Sequence, residues 1–139
     1  MKRKIAKELV LVARRAQQFA HAPHSNFRVG AALLAKSGRI FTGCNIENSS
    51  YSLTNCAERT AIFKAVSEGV REFSAIAIAA DGQDYITPCG ACRQVLIDLA
   101  GNIEIVMVNG KNKTKVSSLN SLIPLAFTSQ NLKQIRVHK

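Results

Sequence analysis

The chain is 139 residues long and 47% hydrophobic, enough sequence for one domain with a substantial core. No apolar run approaches the roughly 18 residues of a membrane helix, and "MKRKIAKELVLVARR" encloses too short an apolar stretch for a signal peptide, so no membrane role and a cytoplasmic location are expected. The net charge of +10 divides into +5 over residues 1–15, +6 over residues 111–139 and −1 between them, so the excess reads as solvated basic ends and not as a nucleic-acid-binding body.

From the N-terminus, Ile5, Leu9, Val12, Ala16 and Phe19 recur at steps of four and three, the stripe of an amphipathic helix ending before Pro23. "FRVGAALLA" and "RIFTGCNIE" read as a β-hairpin turning around Ser37-Gly38. "CAERTAIFKAVSEG" is a helix closed by Gly69, "FSAIAIAA" a buried strand, and "CGACRQVLIDLAG" a helix closed by Gly101. "IEIVMV" is a further strand with Asn109-Gly110 as its turn, and short helices are expected near "VSSLNSL" and "SQNLKQI". No repeat or linker interrupts residues 1–139, so they form a single domain. Strands alternating with helices imply a central sheet covered on both faces, with right-handed crossovers. Both cysteine motifs then fall at helix N-termini beyond strand ends, where open α/β sheets place ligands.

Those motifs are "TNCAERT", with Cys56 and Glu58, and "TPCGACRQ", with Cys89 and Cys92. A helix N-terminus favours the thiolate that metal binding requires. Zinc suits thiolates, and three protein ligands leave a fourth tetrahedral position for water. Three thiolates give a net negative centre, which Arg59 can offset by hydrogen-bonding the sulfurs, as can the helix dipoles. Cys44 is twelve positions before Cys56 and lies in an apolar strand, so it reads as a small hydrophobe and not as a fourth ligand. An acid in a first helical turn is common by itself. Beside Cys56 and a distant P-C-x-x-C it is a proton carrier for activated water. The pattern is the three-cysteine form of the zinc-deaminase signature, a match and not a deduction.

With "SNFRVGAALL", "GCNIENSSYSLTNCAERTAIFKAVSEG", "PCGACRQVL" and a weaker "SLIPLAF", the sequence resembles the small homotetrameric cytidine deaminases over most of residues 22–127. The resemblance implies a three-layer α/β/α domain around a mixed sheet of about five strands. It implies one Zn²⁺ per subunit on Cys56, Cys89 and Cys92, with Glu58 as catalytic acid/base. It places Phe27 against the pyrimidine, Asn45 and Glu47 on the ribose hydroxyls, and the backbone at Ala57 on the base carbonyl. Phe127 would reach a neighbouring subunit's pocket, giving a homotetramer with shared active sites. Glu47, an acid at the end of an apolar strand, requires a hydrogen-bond partner, which a ribose hydroxyl would supply. Three positions depart from the family pattern: His24 replaces tyrosine, Arg28 replaces a smaller or uncharged residue, and Leu125 replaces the glycine of "LPGAF".

The function expected is hydrolytic deamination of cytidine and deoxycytidine to uridine products and ammonia, in pyrimidine salvage. No phosphate-binding loop of the G-x-x-x-x-G-K type is present, as befits an uncharged nucleoside. The alternatives are a deaminase of another cytosine compound, such as blasticidin S or a base in RNA, and a non-enzymatic zinc protein binding nucleic acid through its basic ends.

Overall fold

The structure, a computed structural model, describes residues 1–137, with side chains up to Lys133. The elements in chain order are α1 (Arg3–Gln17), β1 (Val29–Ala35), β2 (Ile40–Cys44), a 3-10 turn (Tyr51–Leu53), α2 (Ala57–Ser67), β3 (Phe73–Ala80), α3 (Gly90–Ala100), β4 (Glu104–Val108), β5 (Thr114–Ser118), α4 (Leu119–Leu122) and α5 (Ser129–Val137). One sheet runs β2-β1-β3-β4-β5. Only β3 and β4, joined through α3, are parallel. The mixed five-stranded sheet between helical layers is the architecture expected.

Alternation along the strands sorts the core onto two faces. Leu33, Ile76, Ile78, Ile105 and Met107 point toward α2 and α3, where Ala61, Ile62 and Leu96 meet them. Each such large side chain contributes about 1.5–3 kcal/mol by leaving water. The other face is made of Ala32, Ala75, Ala77, Ala79, Val106 and Val108 against Leu9 and Ala13 of α1. Small residues let α1 lie close: a Cβ at Gly30 would fall 2.1 Å from the Ala13 carbonyl oxygen.

Three expectations are corrected. The apolar stripe of the first helix does not run to Phe19: α1 stops at Gln17, Phe19 is exposed, and the buried face is Leu9, Ala13, Ala16 and Gln17. Val116–Ser118 are strand and not helix, because α4 begins only at Leu119, with the Ser118 hydroxyl accepting from the Ser121 N–H. This fifth strand is an exposed edge of mostly polar residues, so no apolar run marks it. Cys44 is the last residue of β2 and only partly buried, although what burial it has pushes its thiol pKa up.

Candidate metal centre and active site

The thiols are positioned by backbone packing. A Cβ at Gly43 in β2 would lie 2.3 Å from the Ala57 carbonyl oxygen and 2.6 Å from the Ala61 nitrogen, so α2 rests its first turn directly on that strand. Cys56 and Cys89 are the extended N-cap residues of α2 and α3, and Cys92 is in the first turn of α3. Arg93 secures the second motif: its Nε donates to the Pro88 carbonyl (2.7 Å) and its guanidinium to the Leu122 carbonyl (2.7 Å).

The sulfurs of Cys56 and Cys89 are 3.9 Å apart and those of Cys89 and Cys92 3.5 Å, with all three within 4.8 Å of one another. Zinc–sulfur bonds of about 2.3 Å in a tetrahedron put sulfurs about 3.8 Å apart, so this trio fits zinc as it stands. Among the described residues the group excludes Cys44.

The charges agree with the geometry. The Cys56 thiol is brought down to about 5, chiefly by a hydrogen bond from Cys92 and then by Arg59, whose guanidinium donates to its sulfur at 3.3 Å; burial opposes them. Cys92 is pushed up by donating to Cys56, by burial and by the charge of Glu58. Cys56 is therefore the more readily deprotonated of the two, and a dication would favour the thiolate at every sulfur. The Arg59 Nε is buried and has no hydrogen-bond partner among the described residues, while the other end of the guanidinium reaches the Cys56 sulfur. Glu58 is only 5% exposed, and burial followed by the Cys56 charge raises its carboxyl above the usual range, against the pull of its own backbone N–H. Burial of this kind disfavours the charged form of a carboxyl.

A second cluster adjoins the first. Ile46 and Asn55 exchange backbone hydrogen bonds of 2.9 Å, tying Asn45–Glu47 to the residue before Cys56. The Asn45 side chain accepts from the Val29 N–H (2.9 Å) and donates to the Phe27 carbonyl (2.7 Å). The Glu47 carboxylate accepts from the N–H groups of His24 (2.8 Å) and Ser25 (3.1 Å) and from the Ser25 hydroxyl. Glu47 thus finds partners within the chain and does not depend on a ribose for them. His24, Ser25, Glu47, Tyr51 and Thr54 line a cavity of about 330 Å³, with His24 edge-to-face on Tyr51 at 5.6 Å. Phe27 is 38% exposed. Ala57 is buried, and as the first helical residue its N–H lacks an intrahelical acceptor. Phe127 is 55% exposed and outside the lining of that cavity, its carbonyl accepting from the Gln94 amide at 2.8 Å. Leu125 is fully exposed with φ at 53°, the left-handed region where glycine is at ease.

Sequence reasoning passed over Gly43, Ser25 and Arg93. A glycine inside an apolar strand does signal close backbone approach, so Gly43 was findable. Ser25 and Arg93 carry no local signal, because their partners lie in other segments.

Three convergent thiols and a buried acid at paired helix N-termini define a site of the zinc-deaminase class. Residues 3–109 match the family described as the cytidine and deoxycytidylate deaminase zinc-binding region. The chain is 48% identical over 126 residues to cytidine deaminase of Sporosarcina psychrophila, covering 90% of this chain and 93% of that one. It is 53% identical over 121 residues to a probable cytidine deaminase of Dictyostelium discoideum, covering 86% and 82% respectively. The crystal structure of cytidine deaminase from Burkholderia pseudomallei has the same fold, with a TM-score of 0.86 at 46% identity over 91% of this chain and 100% of that one. The chain belongs to the cytidine and deoxycytidylate deaminase family.

Proposed function

We propose that this protein hydrolyses cytidine and deoxycytidine to uridine and deoxyuridine with release of ammonia, as a zinc-dependent homotetramer acting in cytoplasmic pyrimidine salvage. The observation that carries the reading is the buried Glu58 carboxyl beside three convergent thiols. Zinc on Cys56, Cys89 and Cys92, one ion per subunit, would supply an open position and a water acidic enough to attack at neutral pH. Glu58 accepts the first proton that water gives up and passes it to ring N3; once the oxygen is bonded to C4, Glu58 takes the remaining hydroxyl proton and delivers it to the amine, which leaves as ammonia as the C4 carbonyl forms. Arg59 holds Cys56 as thiolate and offsets the negative charge of the ligand set. The free N–H of Ala57 is the donor for the base carbonyl, Phe27 packs on the ring, and Asn45 and Glu47 take the ribose hydroxyls.

The anionic Glu47 favours a free nucleoside over a nucleotide or an RNA chain, whose phosphates it would repel. The test is zinc analysis of the purified protein combined with the loss of cytidine's ultraviolet absorbance. Deoxycytidine, blasticidin S and a single-stranded RNA are run in parallel. Turnover of the two nucleosides with about one zinc per chain is expected. Salt-sensitive RNA binding without nucleoside turnover would replace this reading with the nucleic-acid one.

A further inference from the structure

We infer that Ser25 is a positioning residue for nucleoside binding: its one hydroxyl joins the backbone of Phe27 to the carboxylate of Glu47, so the base-facing and sugar-facing walls are set as one unit. The inference rests on the roles proposed above for Phe27 and Glu47.

A serine hydroxyl offers one donor and two acceptor sites. An ionised carboxylate only accepts, so the Ser25 proton must point at Glu47. That leaves the oxygen free to accept, and the Phe27 N–H donates to it at 3.0 Å. The relay therefore has a fixed direction, from the Phe27 amide through the Ser25 hydroxyl to Glu47, and each bond polarises the next. Asn26, between the two residues, takes φ of 56°, the left-handed turn that brings the Phe27 amide back over the Ser25 side chain.

The other side of Phe27 is held as well, since the Asn45 amide donates to its carbonyl. Phe27 needs these ties. Phe27 is 38% exposed and lies outside the clusters that make the core, so core packing alone does not aim it. Glu47 is placed the same way, by the Ser25 hydroxyl and two N–H groups of residues 24 and 25, with no ion pair to it among the described residues. Together these bonds hold the Glu47 carboxyl below the usual carboxylate range, the hydroxyl contributing most. Ser25 and Glu47 both line the 330 Å³ cavity, so the relay ends where a sugar would enter.

The plain alternative is that Ser25 merely closes a local turn, in which case its loss would lower stability and leave substrate affinity alone. Ser25→Ala in the zinc-loaded enzyme is expected to raise KM for cytidine about tenfold, the usual cost of one charge-assisted hydrogen bond, with kcat within about threefold. Zinc content should be unchanged, and Ser25→Thr, which keeps the hydroxyl, should return KM to within about threefold of the parent. In a Glu47→Gln background the same Ser25→Ala change should add less than about twofold, because the shared interaction is already broken. Should Ser25→Ala fail to fold, Ser25→Cys, a weak donor of similar size, is read in its place. An unchanged KM in Ser25→Ala, or fully additive effects with Glu47→Gln, overturns the inference while leaving the pocket assignment standing. If Glu47→Gln and Phe27→Ala each leave KM unchanged, the pocket assignment itself falls and takes the inference with it.

Discussion

Glu58 is the residue on which the chemistry turns, because water attack and amine departure both need a proton moved at one place. Its burial and the adjacent Cys56 charge raise its pKa, which suits a group that must hold a proton between steps. Glu58→Gln keeps shape and hydrogen bonding but cannot carry the proton. It should retain zinc and nucleoside binding while kcat falls by at least about 10²–10⁴-fold, measured by steady-state kinetics beside metal analysis. A variant within tenfold of the parent would remove Glu58 from the mechanism. Arg59 acts on the ligands instead. The Cys56 pKa is depressed to about 5, so its thiolate persists well below neutrality and is lost as pH falls through that value. Protons compete with zinc for all three sulfurs, so acid titration should release the metal. Arg59→Gln removes a hydrogen bond and a charge that lower that pKa, and should move the release midpoint to higher pH, read with a chromogenic chelator. An unmoved midpoint would leave Arg59 without a role at the sulfurs. Cys56, Glu58, Cys89 and Cys92 were legible from sequence because their spacing within single helix starts is local. Ser25 was not, since its partner Glu47 is twenty-two positions away.

At the level of elements, the site depends on how closely α2 approaches β2. Gly43→Ala would put a methyl against the backbone at Ala57 and Ala61, and backbone cannot swing aside as a side chain can. Overpacking of this kind typically costs about 1–3 kcal/mol, and here the displaced turn carries Cys56 and Glu58. Thermal melts should show the loss of stability, and zinc affinity should fall with it; a variant of unchanged Tm that holds zinc normally would dismiss the packing argument. The 124–127 turn offers the opposite case. Leu125 occupies the left-handed region at a cost of about 1–2 kcal/mol, with no packing to offset it. Leu125→Gly should be neutral to stabilising by up to about 1 kcal/mol, after the entropy that glycine gives the unfolded chain. Leu125→Val, bulkier at Cβ, should lower Tm instead. The helices and buried strands were readable because burial imprints a period on them. The edge strand β5 lacks that imprint, and beyond Gln17 the period continues past the end of α1 only by coincidence.

For the molecule as a whole, the question is what covers the exposed apolar side chains around the site. Phe27, Ile46, Tyr51, Leu53, Phe63 and Phe127 are all exposed in the single chain. Large apolar side chains left exposed are candidates for burial against a partner, and the proposed homotetramer supplies one. Phe127 is 55% exposed in the single chain, so its ring is free to meet a neighbour's pocket. Subunit mixing tests this. Glu58→Ala chains lack the proton carrier but keep Phe127, whereas Phe127→Ala chains keep the carrier and lack the aromatic. Refolded together in equal amounts, chains that share sites across an interface would form about a quarter of their pockets with both residues intact. Activity should rise above the mean of the two separately refolded variants toward about a quarter of the parent, given an impaired but assembled Phe127→Ala. Mixed assembly can be verified with a size tag on one chain. With mixing established, no rise would place Phe127 within its own subunit and leave the neighbouring pocket to be closed by something else.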